Sequence, residues 1–167
     1  MHISGMGNAL KLAQGIKNVL SVTNTPLVNH NIGQTLPSEY CSTAEDIMGK
    51  KGNRVGRVIQ FSFPRADTIQ MKGITIPPSM GVSQAINLQS EGQKAATTGD
   101  FVLTSNEVNP VVKALKEYGI AVTALHNHML SETPRLFFIH FWALDNPVKL
   151  AYGFRKALEQ TNTIMVS

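Results

Sequence analysis

One cysteine, Cys41, is all the thiol in this chain of 167 residues. An intrachain disulfide is thereby excluded, a thiolate metal centre lacks its sulfur, and the count fits a reduced cytosol as well as an exported protein without disulfides. No apolar run approaches the ~20 residues that a membrane-spanning helix needs, so no membrane span is expected. Charge is also sparse, at 16% of residues, with 15 Lys and Arg against 11 Asp and Glu and a formal net charge of +4. The only dense basic run, Lys50, Lys51, Arg54 and Arg57, has no aromatic side chains interleaved to stack on bases. It reads as a solvated turn and strand start, and no nucleic-acid partner is expected. The chain has no phosphate-cradling loop of the G-x-G-x-x-G or P-loop kind, which argues against nucleotide-dependent redox chemistry. It has no internal repeat of solenoid or propeller length. The opening MHISGMGNALKLAQGIKNVL lacks the continuous apolar core and small-residue cleavage site of a secretory leader, so the chain as written is expected to carry no export signal.

What is present is an ordinary globular composition, 43% hydrophobic, in a length suited to one domain. Leu12, Ile16, Val19 and Leu20 recur at helical spacing, and the polar stretch from Ser21 to Tyr40 contains Pro26, Gly33 and Pro37. Residues 1–41 are therefore expected to form a short helix and an extended arm, and residues 42–167 a single domain. Ser42 and Glu45 have capping-box spacing and predict a short helix ending near Gly49 or Gly52. Strand signals follow over Arg54 to Phe63, Ile69 to Ile76, Ser83 to Ser90 and Asp100 to Ser105. A helix capped by Asn109, opened by Pro110 and stopped at Gly119 comes next, with Val111, Leu115 and Tyr118 on one face. Ile120 to Met129 and Arg135 to Leu144 form a hairpin over a short loop, and Asp145 or Asn146 caps a last helix begun by Pro147, with Ala151, Phe154 and Leu158 facing inward. The order strand, helix, strand, strand, helix, preceded by several strands, predicts an α+β fold: a mostly antiparallel sheet packed with helices on at least one face.

The stretch TALHNHMLSETPRLFFIHFWAL places three of the five histidines within a single hairpin. Side chains alternate across a strand, so His126 and His128 share a face. A register that sets His126 near Phe138 and His128 near Leu136 puts His140 on that face too, opposite Ala124; a slip of one residue would send it to the other side. Three neutral imidazoles supply a first shell for a divalent transition metal, Zn above all and also Fe, Mn, Ni or Cu. Glu132 can fold back as a fourth ligand or stand as general base for bound water. The H-x-H-x3-E spacing is similar to the first half of the cupin metal motif. However, no glycine follows the glutamate, His140 comes too soon, and a helix feeds directly into the histidine strand, so a cupin barrel is not expected.

Four blocks, PRADTIQMKGITIPPSMGVSQAINL, GDFVLTSNEVNPVVKALKEYGIAVTALHNHML, ETPRLFFIHFWAL and KLAYGFRKAL, together resemble the LppY/LpqO-type family, a bacterial domain of largely unknown function, over about residues 42–160. The matching positions are Gly99, Asp100, Glu107, Asn109, Pro110, His126, Asn127, His128, Glu132 and His140. The resemblance implies an exported or envelope-associated bacterial protein and brings no reaction with it. Read from their chemistry, Asp100, Glu107, Asn109 and Asn127 are candidates to orient the imidazoles or contact substrate, because a metal-bound histidine usually donates its second N–H to such a group. Glu107 and Asn109 can equally satisfy free N–H groups at a helix start, and Asp100 can be a turn residue. Arg135 beside the turn can bind an anionic group or simply be an exposed cation, and Phe138 and Trp142 can wall a pocket or pack a core.

Two functional readings follow. One is a metal-dependent enzyme of hydrolase or lyase type, with His126, His128, His140 and Glu132 at its centre and a small oxygen-rich molecule as substrate. The other is a non-catalytic envelope or carrier module with a structural metal or small-ligand site, which a closed four-ligand centre would favour. A homo-oligomer with packed histidines is a third: Leu125, Phe137, Ile139 and Phe141 make one hairpin face apolar and Val122, Leu136, Phe138 and Trp142 the other, so each needs a cover. Ser131 near His128 lacks a nucleophile elbow, and Cys41 lacks a partner, so neither is expected to act as a nucleophile.

Overall fold

The computed structural model describes residues 3, 5–24 and 38–165. The chain divides into two compact units, Met1–Ile32 and Gly33–Ser167. The first holds α1, Ala9–Leu20, whose N-terminus is capped by Asn8: its side-chain oxygen accepts from the backbone N–H of Leu10 at 3.0 Å and of Lys11 at 3.2 Å. The helix lies where the spacing of Leu12, Ile16, Val19 and Leu20 predicts it. Most of the arm expected after it falls outside the described residues. No described helix is long and apolar enough to cross a membrane.

The second unit opens with α2, Ser38–Met48, which ends at the positive-φ Gly49 (φ 68°). Its start differs from expectation, because Ser42 lies inside the helix. Glu45 turns instead to the following loop, accepting from Gly52 N at 3.1 Å and pairing with Lys51 and Arg54. The run Arg54 to Phe63, read as one strand, is a hairpin of β1 (Asn53–Val55) and β2 (Val58–Pro64), because Gly56 at φ 58° turns the chain. Likewise β3 (Gln70–Met71) and β4 (Ile74–Thr75) are joined by Lys72 and Gly73 at φ 51° and 77°, a two-residue turn whose left-handed conformation suits the strand twist. Then come β5 (Ser83–Glu91), β6 (Lys94–Leu103), α3 (Ser105–Glu117), β7 (Ala121–His126), β8 (Glu132–Thr133), β9 (Phe137–Asp145) and α4 (Pro147–Leu158). The cap of α4 is as expected, with Asn146 accepting from Val148 N and Lys149 N.

Six strands form one antiparallel sheet in the order β1-β2-β5-β6-β9-β7, and β4-β3-β8 form a small second sheet. The fold is thus α+β with a mostly antiparallel sheet. Period-two alternation divides the large sheet. Ile59, Phe61, Ile86, Leu88, Phe101, Ile139 and Phe141 point to one face and join Val111, Leu115, Leu150, Phe154 and Leu158 of the helices in the main core. Their neighbours point to the other face, where Ile69, Val82, Val102, Leu136 and Phe138 make a smaller cluster.

The start of α3 corrects the expectation for Asn109 and Pro110. Thr104 is the cap, Glu107 completes a capping box by accepting from Thr104 N at 2.7 Å, and Pro110 sits inside the helix with Asn109 exposed beside it. Glu107 is fixed from the other side by Arg65, whose side chain is only 1% exposed and which also donates to Asp67 and to the Val102 carbonyl. Asn162 closes the group, its N–H bonding Glu107 at 2.7 Å and its amide bonding Asp67 at 3.0 Å, so the C-terminal segment is pinned to β2 and α3.

Burial alone would raise the Glu107 and Asp67 carboxyls, but the hydrogen bonds and charge of Arg65, helped by Thr104 and Asn162, overcome it and hold both below their ordinary values of 4.5 and 3.8. Carboxylates depressed on folding contribute stability that is complete above those ordinary values and lost as pH falls through the lower folded ones. Glu107→Gln should therefore cost about 3–5 kcal/mol at neutral pH, the range for breaking a buried ion pair from one side. In urea unfolding followed by circular dichroism, the gap to wild type should close as pH drops below 4.5.

Candidate metal centre

Three adjacent strands build the site. β9 pairs with β6 so that Asp100 opposes His140 and Val102 opposes Phe138, and with β7 so that Ala124 opposes His140 and His126 opposes Phe138. This is the pairing that sets all three histidines on one face, here the face away from the helices. One detail departs from expectation: the register shifts between Val122 and Ala124, leaving Thr123 as an extra residue. Val122, expected beside the histidines, consequently packs with the main core. β7 also ends at His126, so His128 is carried by the loop rather than the strand.

The ligand-capable nitrogens of His126, His128 and His140 all lie within 4.8 Å of one another. Ring centroids are 4.8 Å apart for His126 and His128, 4.8 Å for His126 and His140, and 5.8 Å for His128 and His140. Each ring has a distinct support. His128 stacks on Phe138 at 3.5 Å with an interplanar angle of 10°, which fixes its plane although its backbone is in a loop. Nδ1 of His140 contacts Oδ1 of Asp100 directly. Asp100 Oδ1 is buried and has no hydrogen-bond partner among the described residues, so the contact is one of charge and position: a carboxylate against Nδ1 favours the proton there and leaves the Nε2 lone pair for a ligand. His126, at the strand end, is the most exposed of the three.

The expected fourth ligand, Glu132, is not in this converging group. Its buried carboxylate accepts from Leu136 N at 2.9 Å and lies 3.4 Å from Arg135. Arg135 in turn donates to the Met129 carbonyl at 3.1 Å, and the Asn127 side chain donates to the Leu136 carbonyl at 2.6 Å. Asn127, Glu132 and Arg135 thus act as clamps across the loop that holds His128. The strand β8 in that loop pairs with β3, with Met71 opposite Glu132, a support that the expected simple hairpin lacked. The signal for it was the Lys72-Gly73 turn, which was read as part of a strand. Of the remaining candidates, Asp100 joins the centre, whereas Glu107 and Asn109 are placed at the start of α3.

Residues 42–160 match the family described as a Domain of Unknown Function (DUF1259), and the chain belongs to that family. No curated protein and no solved structure matches it.

Gly99, next to Asp100, has a steric reason for its identity. A Cβ there would stand 1.9 Å from the Ala85 carbonyl oxygen and 2.9 Å from the Phe141 ring. Since Gly99 opposes Ile86 and Phe141 in the ladder, the clash cannot be relieved by a flexible tip. Gly99→Ala should destabilise by about 3 kcal/mol or more, at the upper end of overpacking costs, as a lowered midpoint in urea unfolding.

Proposed function

We propose that His126, His128 and His140 hold a divalent transition metal, Zn by preference, at the centre of a metal-dependent hydrolase or lyase. The observation that carries this reading is the convergence of three imidazoles on one face, with Asp100 placed to orient one of them. The fit can be judged by distance: ligands about 2.0–2.1 Å from a tetrahedral zinc stand roughly 3.4 Å apart. The nitrogens here lie within 4.8 Å, so modest side-chain rotation of partly exposed rings closes the shell. Fe, Mn, Ni and Cu accept the same donors, and thiolate-seeking metals are disfavoured.

With Glu132 committed to the loop, three protein ligands leave a coordination position open, which favours the catalytic reading over a closed structural site. When bound, such a metal lowers the pKa of its water towards ~7 and polarises a substrate oxygen. The chain's own part is positional. Asp100 holds His140 by Nδ1, Phe138 holds the plane of His128, and Glu132, Arg135 and Asn127 hold the loop, so in this reading Glu132 serves as anchor rather than ligand. The LppY/LpqO-type resemblance remains our reading of the family, and with it an exported or envelope-associated setting.

Elemental analysis of protein purified without an affinity tag should find about one equivalent of metal, lost in His126→Ala and His140→Ala while both remain folded. Asp100→Asn should weaken affinity about 10–100-fold, the usual effect of removing a carboxylate behind a metal-bound histidine. A folded wild type that takes up none of Zn, Mn, Fe, Ni or Cu would overturn the proposal.

A further inference from the structure

The face that carries the histidines continues across the sheet as a row without a single charged group. Gln60, Asn87, Thr98 and Trp142 are successive partners on β2, β5, β6 and β9. At roughly 4.8 Å between strands, the four span about 14 Å. The row beside it, two residues along, contains Ala85, Asp100 and His140, so Trp142 stands about 7 Å along the strand from a histidine of the centre.

Trp142 is 51% exposed although it is the only tryptophan in the chain, and no described element covers it. Leu144, two residues along β9 on the same face, is also 51% exposed, and a contiguous exposed apolar pair rimmed by polar groups marks a contact surface where a single one would not. The amides farther along the row, beyond Thr98, are already oriented. Gln60 donates to the Asn87 carbonyl oxygen at 3.1 Å, and Asn87 donates to the Thr98 carbonyl at 3.2 Å. Each primary amide has two donors and two acceptor lone pairs, so both keep capacity for an incoming hydroxyl.

We infer that this row binds a neutral, polyhydroxylated ligand of carbohydrate type and oligomeric length, with one sugar ring on Trp142 beside Thr98 and the hydroxyls of further rings on Asn87 and Gln60. Amides and hydroxyls satisfy the paired donor and acceptor needs of sugar hydroxyls, while an indole face attracts the weakly positive C–H hydrogens of a pyranose. Charge excludes the alternatives. No Lys or Arg stands on this row to neutralise an anion, and the nearest carboxylate, Asp100, is occupied by His140. A second copy of the chain is a poorer match, because against the exposed Gln60, Ser62, Gln89 and Thr98 this face of β2, β5, β6 and β9 offers only Trp142 and Leu144 as exposed large apolar side chains. The inference names the substrate class of the metal centre and rests on that reading for its catalytic meaning, but the binding itself needs no metal.

The sole tryptophan makes the test direct. Titrating full-length protein with cellotriose and with maltotriose, metal-stripped and metal-loaded, should give a saturable change in tryptophan fluorescence with at least one sugar and protect Trp142 from acrylamide quenching. Asn87→Ala should weaken that binding about fivefold to tenfold, as loss of a ligand hydrogen bond does. Trp142→Ala should abolish it by calorimetry while the protein still melts cooperatively with only a modestly lowered midpoint, because half of the side chain is exposed. Saturable binding in protein that takes up no metal would support the platform while contradicting the metal reading, and metal uptake without sugar binding would do the reverse. No saturable response to either sugar, or a blue shift that tracks protein concentration without sugar, would overturn the inference, the latter by showing that another copy covers the face.

Discussion

The antiparallel pairing of β9 with β6 and β7 is the constraint on which the rest depends. Because side chains alternate with a period of two, the partners Asp100, His140 and Ala124 fix which residues face the helices and which face away. The same register that sends Phe101, Ile139 and Phe141 into the main core sends Asp100, His140 and Trp142 out of it. A slip of one residue would bury imidazoles among phenylalanines and expose the core. The hydrophobic demand of the helical face therefore enforces the geometry of the histidine face, and Gly99 lets β5 and β9 approach closely enough for the pairing to hold.

The buried ion cluster and the histidine group occupy different parts of the molecule. The buried cluster of Arg65, Asp67, Glu107 and Asn162 ties β2, α3 and the C-terminal segment together, and its charges are satisfied internally. The histidine group, by contrast, has one exposed and two partly buried rings with specific supports: a strand end for His126, stacking for His128 and a carboxylate for His140. Asn127, Glu132 and Arg135, which have the residue types of a substrate site, spend their polar atoms on the loop. They bear on the histidine group through the position of His128.

Much of this was legible in the sequence, for identifiable reasons. Alternation put His126 and His128 on one face; the pairing of His126 with Phe138 and of Ala124 with His140 was one register among those the pattern allowed, and it is the one the structure adopts. The cap at Asn146 and the stop at Gly119 followed from turn chemistry. What the sequence concealed were events that depend on tertiary partners. The extra residue at Thr123 moves Val122 to the core, and no local signal distinguishes a bulge from regular strand. The start of α3 was read at Asn109 and Pro110, although Thr104 and Glu107 carry the capping box, because a proline inside a helix imitates one at its start. Glu132 was expected as a fourth ligand or general base, and what no local pattern could show is that its carboxylate accepts from Leu136 N in the loop.

The central claim is that strand register assembles a three-histidine metal centre. X-ray absorption spectroscopy of zinc-loaded protein tests it most directly. The account predicts three imidazoles, recognised by the outer-shell scattering of their rings, within a four-coordinate shell of nitrogen and oxygen atoms at about 2.0–2.1 Å. Fewer than three imidazoles in the shell, or none, would contradict it.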